Sequence, residues 1–497
     1  MRRSIFLFAL IWMAVNRIVS QDNTLLPKEP VQVTSFIPGD QQIVSMPLDL
    51  RIQREAIPVR GLCSIKPGRG GNDLMMSGNG KIHITVSGNP SRDRLVFQHE
   101  RILVPWKLPF EAPDISGCLP EVRRLILEGK YQQALELSFE EAAKAGMPPG
   151  TQNHRTMPAF IMEIGQAGKG EIRNFLRTTD FESGEIKVMW DDDEGSWLRT
   201  AFVSRPDNMV VQSFSAPEGS LINTRISLET SIPQKPRLRN GPATESHLDM
   251  DLESIWFDKD FNEKRFILTG HFGPATGNHA YVGGIRIISD GGTIRVDGED
   301  LVVEDAKSLM LLTRIEYFKG FQDEYTKDML LELNQVKYSY QELLSRNREA
   351  QSVIFNRSSL NFSTGERDNA LSGEELLIDQ KKQIGYNLTL LSKLYDMCRY
   401  WLMLESGDFP PIHGHLNVNV NLQVSGGDMA NLPEAMNAFY NWIEGVLPDS
   451  RKNAENIFGA RGALFSVHPD QQQGVLYHWD FAWPHHYWIS AGGWVYS

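Results

Sequence analysis

The stretch SGNGKIHITVSGNPSRDRLVFQHERI, residues 77–102, decides the fold class. Ile82, Ile84 and Val86 alternate with His83 and Thr85. A period of two is that of a strand with one buried face. The same rhythm returns in GEIKVMW, NMVVQSFSA, RFILTGHF and YVGGIRIISDGGTIRV. Ser-Gly-Asn-Gly, Arg-Pro-Asp-Asn and Ser-Asp-Gly-Gly punctuate these runs as turns. Many short strands at this spacing, from about residue 44 to 320, predict a large antiparallel sandwich. One segment interrupts it. LPEVRRLILEGKYQQALELSFEEAAKAG is helical, with Pro120 near its start and Gly129 at a break, and reads as a helical hairpin.

Beyond residue 320 the period changes. YTKDMLLELNQVKYSYQELLSRNREAQSVIFNRSSL predicts one or two amphipathic helices. STGERDNALSGEE reads as a loop, and QIGYNLTLLSKLYDMCRYWLMLES as an apolar helix with a broad buried face. NLPEAMNAFYNWIEGVLPDSRKNAENIFG predicts two helices, the first capped by Asn431 with Glu434 three residues on.

The bulk numbers exclude some functions. The 497 residues allow two or three domains. Lys and Arg number 50 against 62 Asp and Glu, for a net charge of −12. No basic patch recurs, so nucleic acid is not an expected partner, and an acidic surface disfavours anionic polysaccharides. MRR, the apolar SIFLFALIWMAV and NRIVS read as a signal peptide over residues 1–20, cleaved after Ser20. The expected product is secreted or periplasmic, with no membrane span after cleavage. Cys63, Cys118 and Cys398 lack metal-ligand spacing, and their odd number leaves a thiol free. A Cys63–Cys118 bridge stays open. No metal or organic cofactor is implied.

HLNVNVNLQ, residues 415–423, poses the chemical question. Asn417, Asn419 and Asn421 alternate with Val418, Val420 and Leu422. Alternation is what a half-buried strand requires, yet Asn is depleted in strands. Residues two apart in an extended segment point the same way.

Several stretches, taken in order, resemble glycoside hydrolase family 95, the exported α-L-fucosidases and related α-L-galactosidases. They are residues 77–102, LPEVRRLILEGKYQQALEL at 119–137, LRTTDFESGEIKVMW, FVSRPDNMVVQSFSA, GGTIRVDGEDLVVEDAKSLMLLTRIEYF at 291–318, and SYQELLSRNREAQSVIFNRSSL at 339–360. The resemblance implies a multidomain β + α fold. Its parts would be an N-terminal antiparallel β super-sandwich (44–320), a helical linker (321–372) and the first part of an (α/α)6 barrel (373–497). HLNVN resembles the family's His-Leu-Asn-x-Asn stretch, whose paired asparagines hold the attacking water of an inverting hydrolysis. NVNLQ matches as well, so the pair is Asn417 with Asn419 or Asn419 with Asn421; Asn419 belongs to both. The resemblance places His415 on a sugar hydroxyl. It sets the cluster of Trp479, Trp483, His485, His486 and Trp488 where family members line the sugar pocket. Asp480 lies between the two leading tryptophans, as a structural or substrate-binding carboxylate. The implied partners are fucosylated or galactosylated oligosaccharides.

The sequence also departs from the family. GDFPPIHGHLNVN lacks the family's Asn-Leu-Gln-Gly loop, and VSGGDMA stands where Tyr-Trp-Pro is usual. The family's acid glutamate and base aspartate would fall after Ser497, so no residue here inherits those roles. The expectation is a C-terminally truncated chain. The alternatives to an active hydrolase are an inactive relic and a secreted glycan-binding protein. The sandwich strands show no compact aromatic platform that would favour the last.

Overall fold

The computed structural model describes residues 34–35, 42–70, 73–103, 111–147, 150–151, 156–166, 168–230, 255–273, 279–362, 365–410, 424–467, 473–476, 478–479 and 485–495. Two sheets form the N-terminal part. The larger has eleven strands and the smaller seven. The larger carries Ile172–Asp180, Ile186–Asp192, Gly195–Ser204 and Met209–Ser215, then Ser308–Phe318, Ala280–Asp290, Arg265–Phe272 and Ile255–Asn262 in spatial order. Met75–Gly78, Ile82–Val86, Arg92–His99 and Phe160–Gly165 lead the smaller one. Pairing is antiparallel except where Ile43–Ser45 runs parallel to Ile172–Asp180.

The alternation seen in the sequence is the reason for the sandwich. Ile82, Ile84, Val86, Leu95, Phe97 and Phe160 point inward from the small sheet. Phe175, Ile186, Val188, Val210, Phe266 and Leu311 meet them from the large one. Phe97 stacks on Phe160 at 4.6 Å. The expected fold class therefore holds: a sheet-rich N-terminal part and a helical C-terminal region. Hairpin helices Leu119–Leu127 and Tyr131–Lys144 form as expected, with Gly129 turning the chain at φ +75°.

Helices Asp323–Gln335 and Tyr340–Phe355 follow the last strand. Asn347 and Gln351 of the second donate to the carbonyls of Ser183 (2.7 Å) and Phe181 (2.8 Å), binding that helix to the large sheet. Helix Leu388–Glu405 is capped by the Asn387 side chain. It lays Tyr400 on Phe181, and the Tyr400 hydroxyl donates to Met76 O at 2.9 Å.

Three local expectations are corrected. The stretch read as a loop at 363–375 contains helix Glu366–Asn369 and the start of helix Gly373–Lys382. Ser372 and Glu375 form a capping box there, a signal present in Ser-Gly-Glu-Glu but outvoted by the surrounding polarity. The two helices expected over 431–459 are one, Pro433–Phe458, with Pro448 inside it. Its buried face runs through the proline without interruption, from Phe439, Trp442 and Val446 to Ser450 and Asn453. Packing thus outweighs the single donor a proline removes. Asn431 does not cap this helix. It takes a left-handed φ of +55°, and Leu432 occupies the cap position. The cysteines are all free thiols, with Cys63 and Cys398 buried, so the Cys63–Cys118 bridge left open by the sequence is absent. No helix among the described residues is long and apolar enough to cross a membrane.

Candidate functional site at the junction of sandwich and helices

His415, Asn417, Asn419 and Asn421 lie outside the described residues, as do Asp480 and Trp483. The side chain of His485 is also outside them. What the structure does describe is the chain on either side of the asparagine segment. Helix Leu388–Glu405 leads into it through residues 406–410, and Val424, buried, leads out.

The turn Ser77–Lys81 receives the end of that helix. Asn79 folds the turn, its side-chain oxygen accepting the N–H of Lys81 (3.0 Å) and Ile82 (2.8 Å). Gly80, at φ +100°, donates to Leu404 O at 3.0 Å and lies so close that a Cβ would overlap the Ser406 carbonyl. Arg205 ties both sides, donating to Asn79 O (3.2 Å) and Met403 O (3.0 Å).

The strand end at residues 99–101 receives the next residues. Glu100 Oε2 accepts the backbone N–H of Asp408 (3.0 Å) and Phe409 (3.1 Å). Asp408 in turn pairs with Arg101 (2.8 Å) and Lys81 (3.3 Å). The Arg101 guanidinium lies 4.7 Å over the Phe409 ring. Burial pushes the Glu100 carboxyl up to about 7, overcoming the Phe409 N–H that favours its charged form, with Asp408 adding to the rise. Burial pushes neighbouring His99 down to about 3, with Arg101 and Lys81 acting the same way, so that ring is neutral at physiological pH.

The Glu100 shift predicts a pH dependence. Its folded value lies above the ordinary 4.5, so the native state holds the proton more tightly than the unfolded chain. That contribution to stability is complete below about pH 4.5 and is lost as pH rises through 7. Between pH 5 and 8 the protein should lose on the order of 2 kcal/mol that Glu100→Gln does not lose. Urea unfolding of both proteins across that range measures it, and parallel curves would refute it.

The C-terminal aromatic residues gather elsewhere. Trp479 is 0% exposed, its indole N–H donating to Leu476 O at 3.1 Å. His486 stacks on it at 4.3 Å and Phe139 of the helical hairpin meets it edge-on at 6.0 Å. His486 also bonds the Ser138 hydroxyl at 3.2 Å. Trp479 as it stands has no ring face open to a sugar. It ties the C-terminal region to the sandwich core, with His478–Trp479 pairing Gly150–Thr151. Trp488 is partly buried beside Trp442 and Phe465. Sequence reading did not single out Glu100 or Gly80. Both lie in the opening stretch, but neither spacing nor periodicity distinguishes a residue whose partner is 300 positions away. Among the described residues no cluster of His, Cys, Asp or Glu could hold a metal ion.

A two-sheet sandwich clasped through linker helices to a helical region is the class that fold and junction define. Residues 62–317, more than half of the chain, match the family "Glycosyl hydrolase family 65, N-terminal domain", and the chain belongs to that family. It is 22% identical over 433 residues to Alpha-L-fucosidase 2 of Arabidopsis thaliana, covering 80% of this chain and 50% of that protein. The chain therefore spans about half the length of the curated relative it matches. Among solved structures, it is similar to a putative kojibiose phosphorylase from the human microbiome. The TM-score is 0.47 at 12% identity, covering 81% of this chain and 50% of the other.

Proposed function

We propose that the chain is the sandwich and asparagine-bearing part of an exported glycoside hydrolase of the family 95 type, acting on terminal α-L-fucosyl or α-L-galactosyl residues of oligosaccharides. The observation that carries this is the likeness to an α-L-fucosidase across 80% of the chain, beside the HLNVN stretch as read from the sequence. In an inverting hydrolysis water attacks the anomeric carbon from the face opposite the leaving group, between carboxyl groups roughly 6.5–9.5 Å apart. Asn419, with Asn417 or Asn421, orients that water through neutral carbonyl oxygens. His415 bonds a sugar hydroxyl, and Trp483 and His485 stand near the sugar. The first test is release of L-fucose from an α-1,2-fucosylated oligosaccharide by the whole hydrolase of which this chain is proposed to be a part. Asn419→Ala should lower it at least tenfold, as loss of a positioned nucleophile does. Release unchanged by the substitution would sink the assignment.

A second reading, a glycan-binding role for the sandwich, is favoured by one observation. Trp256 on the edge strand Ile255–Asn262 is 48% exposed. Its ring lies parallel to His271 at 4.8 Å, and His271 is held by Asp258 at 2.9 Å. Cross-strand pairing assembles this platform, which the linear sequence does not display. A flat aromatic face beside a carboxylate suits a neutral sugar ring. Glycan retardation in affinity gels that Trp256→Ala removes, while Asn419→Ala does not, would favour this reading.

A further inference from the structure

A cavity of about 340 Å³ opens where strand Ile43–Ser45, helix Leu48–Gln53, strand Ile172–Asp180 and helix Gly373–Lys382 meet. That volume is at the small end of ligand sites. A β-bulge shapes one side of it. Met189 pairs with Leu176, but Asp191 pairs with Arg173. Ile43 pairs with Ile172, but Ser45 pairs with Phe175. Strand Ile172–Asp180 therefore carries one extra residue against both of its neighbours. Asn174 lies in the bulge at φ +52°, a left-handed conformation that asparagine adopts more readily than most side chains. Adjacent residues of a regular strand face opposite sides of the sheet. Here Arg173 and Asn174 both line the cavity.

The charges of the wall are met within the protein. Buried Arg51 donates to both oxygens of Glu375, at 2.6 and 3.0 Å, and also to Met46 O and Ala370 O. Half-exposed Arg173 faces Asp193 at 3.4 Å. An entering anion would confront Glu375, and an entering cation both arginines; uncharged hydroxyls meet neither cost. Hydrogen-bonding atoms remain to receive them. Asn174 commits its amide N–H to Asp191 at 2.7 Å, which leaves its oxygen as an acceptor. Glu375 Oε1 accepts from Arg51 and keeps a further lone pair. Val44 and Pro47 add aliphatic surface. We propose that this cavity binds a neutral sugar, a monosaccharide or the terminal ring of a short oligosaccharide. Its hydroxyls donate to Asn174 Oδ1 and Glu375 Oε1, Arg173 donates to one of its oxygens, and its C–H groups lie on Val44 and Pro47. The inference stands on the cavity and does not rest on the asparagine assignment.

The test is titration of the full chain with D-glucose, D-galactose and L-fucose, read by saturation-transfer NMR and by hydrogen exchange. At least one of the three should bind and slow exchange over residues 43–54 and 172–176. D-glucuronate, D-galacturonate and D-glucosamine should each bind about tenfold more weakly than the tightest neutral sugar, since each buries a charge. Asn174→Gly removes the amide and keeps the left-handed backbone. Arg173→Ala removes a half-exposed side chain, so its melting temperature should match that of the wild type. Each substitution should weaken binding about tenfold, as loss of one hydrogen bond does. No protection over 43–54 and 172–176 by any neutral sugar would overturn the proposal. So would equal binding of the charged sugars, or wild-type affinity in both variants. Asn419→Ala separates this site from the proposed hydrolase function. Binding that it abolishes and Arg173→Ala spares would place the sugar at the asparagine segment and refute the cavity. Binding that survives it and falls in Arg173→Ala supports the cavity, whatever becomes of the hydrolysis.

Discussion

Trp479→Ala is expected to lower the stability of the protein by about 3–5 kcal/mol, the range for removing a fully buried large aromatic. The indole is enclosed on all sides. His486 covers one face at 4.3 Å, Phe139 meets it edge-on, and its N–H is used by Leu476 O. Removing it would leave a cavity at the point where the C-terminal region joins the sandwich core, in contact with the helical hairpin. The neighbours cannot collapse freely, because Ser138 holds His486 from the other side. Denaturant unfolding measures the effect. The alternative role, a sugar-stacking tryptophan, has a different signature: little loss of stability and a large loss of sugar affinity. A change below about 1 kcal/mol, with affinity lost, would show that the ring serves the pocket and not the core.

Gly80→Ala is expected to cost about 2–4 kcal/mol, from two sources. One is backbone conformation: φ is +100°, which a residue with a Cβ rarely adopts. The other is space, since the new methyl would overlap the Ser406 carbonyl and stand 2.9 Å from Gly407 Cα. Both obstacles are backbone, so no side chain can swing away. Gly219→Ala separates the two contributions. Gly219 has φ +84° and nothing within 4 Å of a Cβ, so it carries the conformational cost alone, about 1 kcal/mol. Gly80→Ala should exceed it clearly and should also raise exchange in residues 404–409. Equal costs at the two positions would mean that the turn is not pressed against the helix end.

Legibility followed the range of the interactions. Alternation in Ile82–Val86 and Ile186–Asp192 marks strands because the side-chain period is a local property of the backbone. The hairpin at Gly129 is equally local. The two-helix reading of 431–459 misled because helix ends are read locally, whereas the face from Phe439 to Asn453 is buried on both sides of Pro448. Asn431 misled for the same reason, since a good capping residue is a propensity and the chain's path set a left-handed turn there. For the candidate site, the asparagine spacing is an expectation from the sequence, and its residues lie outside the described ones. The contacts that hold residues 408–409 were not legible, because Glu100 and Phe409 meet only when the sandwich and the helix after it have packed.

The sequence by itself determined the alternating strands, the helical hairpin, the change of period after residue 320 and the presence of paired amides two residues apart. Each depends on side-chain order along a few residues of chain. Tertiary structure alone decided that Trp479 is enclosed, that Trp256 lies on His271, and that Gly80 and Glu100 clasp residues 404–409. These are contacts between segments far apart in sequence, and close packing, not local periodicity, selects them.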